Sequence, residues 1–273
     1  MKSFKEQCIE LRKKDHTLIE IMHITGRPKT SVYQHIQNIE LSKSRIKEIA
    51  KNARKRALVL SSARSGIALR PFKPFDEWTP KLILLTSHLI FDGQISKLCA
   101  YNNRSVSLIS RFKKLMLLVY DFSPKIYINN VTGVYKICYN NVAMANFFKV
   151  KVERLLSEIT ELDKSNQREF LRAFFDDEGC MDFRGNKRRV RGYQKNKKIL
   201  MIIKNLLKNF NIDSKLEGQN EVVVSGKENL KKFQKEINFS KGVRINPNRT
   251  NSIWKKNLEK RKLLDMAIKS FKN

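Results

Sequence analysis

The sequence predicts an α/β (α+β) protein: a small all-α unit followed by two copies of one helix-and-strand-pair unit. Three observations carry this. The first forty residues read as three short helices with capping and turn residues between them. Residues 76–273 run through the same order of elements twice. Between these regions, residues 41–75 hold ten Lys/Arg and one acid, Glu48.

The first helix is CIELRKK, whose spacing turns Ile9 and Leu11 inward. Thr17 caps a second helix, LIEIMHI, and Gly26 ends it. Pro28 opens a third, KTSVYQHIQNIEL, at a position where its missing N–H costs nothing. Helix, short Gly-containing turn and helix make a helix-turn-helix pattern. It resembles the helix-turn-helix of resolvases and small regulators. Lys29, Thr30, Ser31, Tyr33 and Gln34 put short polar, amide and basic side chains where a recognition helix meets base edges. Residues 1–40 are therefore expected to bind DNA. A helical hairpin that packs on another element is the competing reading.

Residues 41–75 form a basic linker. KEIAKNARKRALVL is compatible with a basic helix, while Gly66, Pro71 and Pro74 break any pattern in SSARSGIALRPFKPF. Such a segment suits a tether along a phosphate backbone, or a solvated spacer.

The duplication divides the rest into 76–160 and 161–273, the second half ending in a basic amphipathic helix. Each half starts with a helix that runs into an acid-Gly pair. These pairs are Asp92-Gly93 and Glu178-Gly179, 86 residues apart. Alternating residues, a helix, a strand pair and another helix follow. In the first half KIYINNVTGVYKICY carries a turn signal between two β-rich runs, which predicts a hairpin.

LTSHLIFDG (85–93) and LRAFFDDEG (171–179) resemble two LAGLIDADG motifs, and residues 76–250 resemble the single-chain, two-motif homing endonucleases of that family. The resemblance implies two pseudo-symmetric αββαββα lobes forming a DNA-binding saddle. Their motif helices pack side by side, with Asp92 and Glu178 together below the DNA. Two carboxylates at helix C-termini repel each other and lie in an unfavourable dipole field, so they call for a hard cation, Mg²⁺ or another divalent ion. Such ions activate water and stabilise the leaving oxygen of a phosphodiester. The expected activity is a metal-dependent double-strand break in DNA, of the kind used in intron homing. The family also implies a lysine from each lobe near the reacting water; Lys151 and Lys241 are the candidates. The motifs depart from the family pattern at Ile90, which replaces the earlier acid that Asp176 retains, and at Phe91 and Asp177, which replace a small residue. Ser87 and Ala173 are small, as close helix packing requires. His88 is expected to pack at the helix interface.

The segment 184–198 holds eight basic residues and no acid. In a strand, Arg189, Arg191 and Tyr193 share one face, while Arg188, Val190, Gly192 and Gln194 share the other. A twisted ribbon of this kind fits a major groove. Arg188, Arg189, Arg191, Gln194 and Lys195 are candidate DNA contacts, with Arg104 in the more neutral first copy. Trp254, Leu258 and Met266 in the tail are expected to pack on the second lobe.

The bulk numbers agree. Net charge +30 at pI about 10.1 attracts polyanions, and 41% hydrophobic residues suffice for a core. Cys8, Cys99, Cys138 and Cys180 are scattered, against a zinc site or a disulfide framework. The opening MKSFKEQCIE has no apolar run, so no signal peptide and a reduced, cytoplasmic location are expected. The expected partner is double-stranded DNA, bound by a monomer with no membrane involvement. A non-cleaving regulator on the same fold and an RNA-splicing maturase are the alternatives, so RNA stays open as a partner.

Overall fold

The computed structural model describes residues 2–63, 72–247 and 254–271. The chain divides into two compact units, 1–68 and 69–273. The irregular stretch expected around Gly66 and Pro71, and the tail residues 248–253, lie outside the described residues.

The first unit consists of α1 (Phe4–Lys13), α2 (Leu18–Thr25), α3 (Lys29–Ile36) and α4 (Lys43–Ala63). Ser3 with Glu6, and Thr17 with Glu20, form capping boxes that satisfy orphan amides at the starts of α1 and α2. Gly26 ends α2 in the left-handed region, φ 64°, where a side chain would be strained. The small core is Cys8, Ile21, Val32 and Ile36, so Cys8 rather than Ile9 occupies its centre. Residue Asp15 accepts the Ser42 amide at 2.8 Å, and Arg45 reaches Glu20 at 2.6 Å. These contacts anchor the first turn of α4. Its residues 46–56 are exposed all round.

The second unit repeats one motif. The first lobe is α5 (Pro80–Phe91), β1 (Gly93–Ile95), β2 (Cys99–Asn103), α6 (Val106–Tyr120), β3 (Ile126–Asn129), β4 (Val134–Tyr139) and α7 (Val142–Glu158). The second is α8 (Lys164–Asp177), β5 (Gly179–Arg184), β6 (Lys187–Tyr193), α9 (Lys197–Asn209), β7 (Lys215–Glu217), β8 (Glu221–Ser225) and α10 (Lys227–Glu236), followed by α11 (Lys260–Lys269). Each lobe has an antiparallel four-stranded sheet, ordered β1-β2-β4-β3 and β5-β6-β8-β7. This is the αββαββα duplication that the sequence predicts, including the β3–β4 hairpin.

One face of each sheet packs on its helices. Tyr101, Ile137 and Tyr139 enter the first lobe's core, and Met181, Val190, Val222 and Val224 the second's. Helices α5 and α8 pack against each other, with Ser87 and Ala173 fully buried. Phe91 does not wedge them apart. Its ring meets Phe170 and Phe174 edge-on, with centroids at 5.4 and 5.2 Å, a favourable aromatic geometry. Trp254 and Leu258 pack on the second-lobe core as expected, but Met266 is 43% exposed; Leu263, Leu264 and Ala267 fill that place in α11. Among the described residues no helix is long and apolar enough to cross a membrane.

Candidate active site

Helix α5 begins at Thr79, whose hydroxyl accepts the Leu82 amide, with Pro80 at its first position. Helix α8 begins at Asp163, which accepts the Ser165 and Asn166 amides. Both helices end on an acid: Asp92 caps α5 and Glu178 caps α8. The chain then doubles back sharply. A Cβ on Gly93 would stand 2.3 Å from the Leu89 carbonyl oxygen, and one on Gly179 would stand 2.3 Å from that of Phe175. Only glycine fits either position, which explains the acid-Gly pairs. The pseudo-symmetry extends to the backbone. The Asp92 carbonyl accepts the Asn102 amide at 3.2 Å, and the Glu178 carbonyl accepts the Tyr193 amide at 3.2 Å.

The structure brings the two sequence-predicted acids into one electrostatic neighbourhood. Burial, then the charges of Asp177 and Glu178, push the Asp92 carboxyl up to about 7. Asn103 opposes this by donating to Asp92 Oδ2 at 2.6 Å. Asp176, the retained earlier acid, is buried and accepts the Ser240 amide at 2.8 Å and Arg111 at 3.3 Å. Burial raises its pKa against the opposing pull of the Ser240 hydrogen bonds and the charge of Lys260. Among the described residues no group of three or more His, Cys, Asp or Glu forms a metal cage. The donor set fits a hard cation held by Asp92 and Glu178, whose mutual repulsion it would relieve, with oxygens of a bound substrate and water completing it.

The two lysine candidates separate. Lys151 lies at the opposite end of α5, buried among Phe75, Trp78 and Phe147, 3.8 Å from Asp76. Its position on α7 points it at the segment leading into α5, so it does not join Asp92. Lys241 is exposed and follows Ser240, at the Glu178 end of α8. The buried lysine at that end is Lys260 of α11. Its ammonium donates to the carbonyls of Phe175, Asp176 and Gly179 at 3.3, 2.8 and 2.6 Å. Nothing in a Lys-rich tail singles it out by sequence.

The basic ribbon also differs from expectation. Arg188 faces the helix side, donating to Ser270 Oγ at 2.5 Å and lying over Phe183 and Phe271. These contacts hold the half-buried side chain against the end of α11, on the opposite face of the sheet from Arg189 and Arg191. Arg189 and Arg191 do share the outer face, but they are not unopposed. Arg189 pairs with Asp182 at 3.0 Å and Glu217 at 2.6 Å, and Arg191 with Glu221 at 3.2 Å. Those acids come from the other three strands of the sheet, which a count along 184–198 could not show. Gln194 is half-buried and Lys195 exposed just beyond β6. Asn103 and Arg104 hold the equivalent positions beyond Asp92. In each lobe the first side chain accepts the amide two residues on, Asn103 from Ser105 at 2.8 Å and Gln194 from Asn196 at 3.0 Å.

In the first unit, Lys29, Thr30, Tyr33 and Gln34 are exposed and Ser31 half-buried on α3. Thr30, Tyr33, Gln34 and Gln37 follow helical spacing and make one polar stripe opposite Val32 and Ile36.

Sequence reasoning gives three residues no role at the acid pair: Asp177, noted there only as a departure from the motif, and Tyr101 and Asn103, which lie in the first-copy counterpart of the basic ribbon. His88 does lie at the helix interface, and it meets Asp177 there at 2.8 Å. Tyr101 donates to Asp177 at 2.6 Å. The signal was an acid replacing a small residue opposite a histidine, with Tyr101 and Asn103 two apart on one strand face.

Residues 165–238 match the family model described as LAGLIDADG-like domain. No curated protein matches the chain. Among solved structures, I-DmoI in complex with DNA and Mn is 20% identical, covering 58% of this chain and 96% of that one, with a TM-score of 0.46. Full-length DUF199/WhiA from Thermatoga maritima is 15% identical, covering 62% of this chain and 59% of that one, with a TM-score of 0.46. The family match spans α8 to the end of α10, the helices and both strand pairs of the second lobe, and it is this lobe that is similar to the LAGLIDADG-like domain.

Proposed function

We propose that the protein is a sequence-specific, divalent-metal-dependent DNA endonuclease. The observation that carries this is that Asp92 and Glu178 end two packed helices near enough for the charge of one to act on the other, with the Asp92 carboxyl pushed up to about 7 by burial and by the charges of Asp177 and Glu178. Unrelieved, such a cluster costs stability, and functional sites are where costs of this kind gather. A cation held by the two carboxylates would polarise a phosphoryl oxygen and lower the pKa of bound water. The chain's own residues do the rest. Asn103 fixes the direction of the Asp92 carboxylate. The outer sheet faces, with Arg104, Gln194 and Lys195 at their inner ends, would hold the duplex. Thr30, Tyr33, Gln34 and Gln37 on α3 would read further bases.

A non-cleaving DNA-binding regulator on the same fold is the second reading. It is favoured by the burial of Lys151 far from Asp92, which removes one of the two lysines expected beside the reacting water. The readings separate when purified protein is incubated with a randomised plasmid library and Mg²⁺ and the ends are sequenced. Ends sharing one sequence context support the nuclease. A bound, protected sequence with no ends supports the regulator.

A further inference from the structure

A chain of buried hydrogen bonds crosses the lobe interface and ends on one of the two acids. The side chains of His88 of α5 and Asp177 of α8 are both fully buried, with Nδ1 2.8 Å from Oδ2. The other carboxylate oxygen of Asp177 accepts the Tyr101 hydroxyl at 2.6 Å. That hydroxyl in turn accepts from Asn103 Nδ2 at 3.3 Å, and the same nitrogen donates to Asp92 Oδ2 at 2.6 Å. The amide orientation is fixed, because Asn103 Oδ1 accepts the Ser105 amide at 2.8 Å. Tyr101 is fixed as well, stacked on Phe112 with centroids 4.6 Å apart at 18°.

The burial of Asp177 needs an explanation, since an apolar or small residue would pack there without desolvating a charge. Its two oxygens are spent on His88 and Tyr101, and the Tyr101 contact orients a group that leads through Asn103 to Asp92. The other lobe cannot build the same chain. Tyr101 pairs with Gly93 across β1 and β2, and the residue pairing with Gly179 across β5 and β6 is Gly192. Gly192 has no side chain, and the Phe174 ring fills its space, 2.2 Å from where a Cβ would stand. Phe91 occupies the motif position that Asp177 holds in the second copy.

We propose that Asp177 is a positioning residue which, through Tyr101 and Asn103, holds the Asp92 carboxylate in its working orientation and so controls the cutting of one DNA strand only. This rests on the nuclease reading. A chain of hydrogen bonds with fixed ends restricts Asp92 to one orientation, and groups that orient a metal-binding side chain typically change metal affinity by about 10–100-fold.

The test uses Tyr101→Phe, which removes only the hydroxyl link, and Asn103→Ala, at the half-buried end of β2, should Tyr101→Phe fail to fold. The substrate is supercoiled plasmid carrying the sequence cut by the wild type, with Mg²⁺. Either variant is expected to accumulate nicked circle with the nick always in the same strand, that strand's partner being cut about tenfold more slowly. Equal slowing of both strands, as general weakening of the interface would give, or no slowing of either, overturns the proposal. A second readout is Mn²⁺ affinity from electron paramagnetic resonance on the full chain, expected to weaken about tenfold in Tyr101→Phe; unchanged affinity overturns the proposal. If the wild type cuts neither strand, the nuclease reading fails by itself, and the Mn²⁺ titration still decides whether the chain positions Asp92.

Discussion

Lys260 donates its buried ammonium to the main-chain carbonyl of Asp176 at 2.8 Å. With its bonds to Phe175 and Gly179, one side chain satisfies three carbonyls at the end of α8, where the helix dipole also favours a cation. Lys260→Met keeps much of the volume and removes the donors. It should destabilise the second unit by at least about 1–3 kcal/mol, the cost of leaving a buried acceptor unmade. Urea unfolding followed by circular dichroism measures this, and an unchanged midpoint would show that water replaces the ammonium.

The tight exits from α5 and α8 make a second prediction. Gly93→Ala and Gly179→Ala each push a methyl group against backbone, which cannot turn aside as a side chain can. Each should cost about 1–3 kcal/mol or more, as overpacking does. Gly185→Ala has open space around it but a φ of 50°, so it should cost only the smaller left-handed strain. Melting temperatures of the three variants give the order directly.

The Asp92 carboxyl sets a pH dependence. Its pKa rises from 3.8 to about 7 on folding, through burial and the charges of Asp177 and Glu178. Between those values the folded chain keeps a proton that the unfolded chain has lost. This contribution to stability is therefore present below about pH 4 and is lost as pH rises toward about 7. Asp92→Asn should flatten the curve in that window, and so should Mg²⁺, which competes with the proton. Calorimetric melting of wild type and Asp92→Asn between pH 4 and pH 8 tests it. Parallel curves would mean that Asp92 is not the group responsible.

How much of this was legible in the sequence depends on whether the information is local. Thr17, Gly26 and Pro28 mark helix ends by their own backbone chemistry, so the first unit could be read residue by residue. Asp92-Gly93 and Glu178-Gly179 repeat at lobe spacing, and that repeat identified both acids. Contacts between distant segments were not legible. Asp182, Glu217 and Glu221 oppose Arg189 and Arg191 only because β5, β7 and β8 lie beside them in the fold. The place of Lys151 depends on how α7 packs against the segment before α5. Arg188 pointed to the predicted face, but α11 covers that face. Tyr101 and Asp177 are 76 residues apart, and no spacing rule connects them.

The exposed surface of the first unit gives a prediction about binding. Glu48, the sole acid of α4, is taken by Arg45 at 2.7 Å. Lys47, Lys51 and Lys55 then follow at four-residue spacing along one exposed face. Replacing these three by Gln should reduce the slope of log affinity against log salt by about 2.7, if each meets a phosphate. An unchanged slope would make α4 a spacer. Tyr33→Ala with Gln34→Ala should instead relax base preference by about 1–3 kcal/mol per lost contact while leaving the salt slope nearly unchanged.

In the proposed function, Asp92 and Glu178 together cut both strands of a specific DNA. The measurement that tests it most directly compares wild type, Asp92→Asn and Glu178→Gln on supercoiled plasmid carrying the selected site, with Mg²⁺, scoring supercoiled, nicked and linear forms beside a binding assay. Wild type should linearise the plasmid, each variant should leave at most a nick, and both variants should bind the site as tightly as wild type or more tightly, since negative charge facing phosphate has been removed. Variants that linearise the plasmid at the wild-type rate, or a wild type that binds the site and never cuts it, would contradict the account.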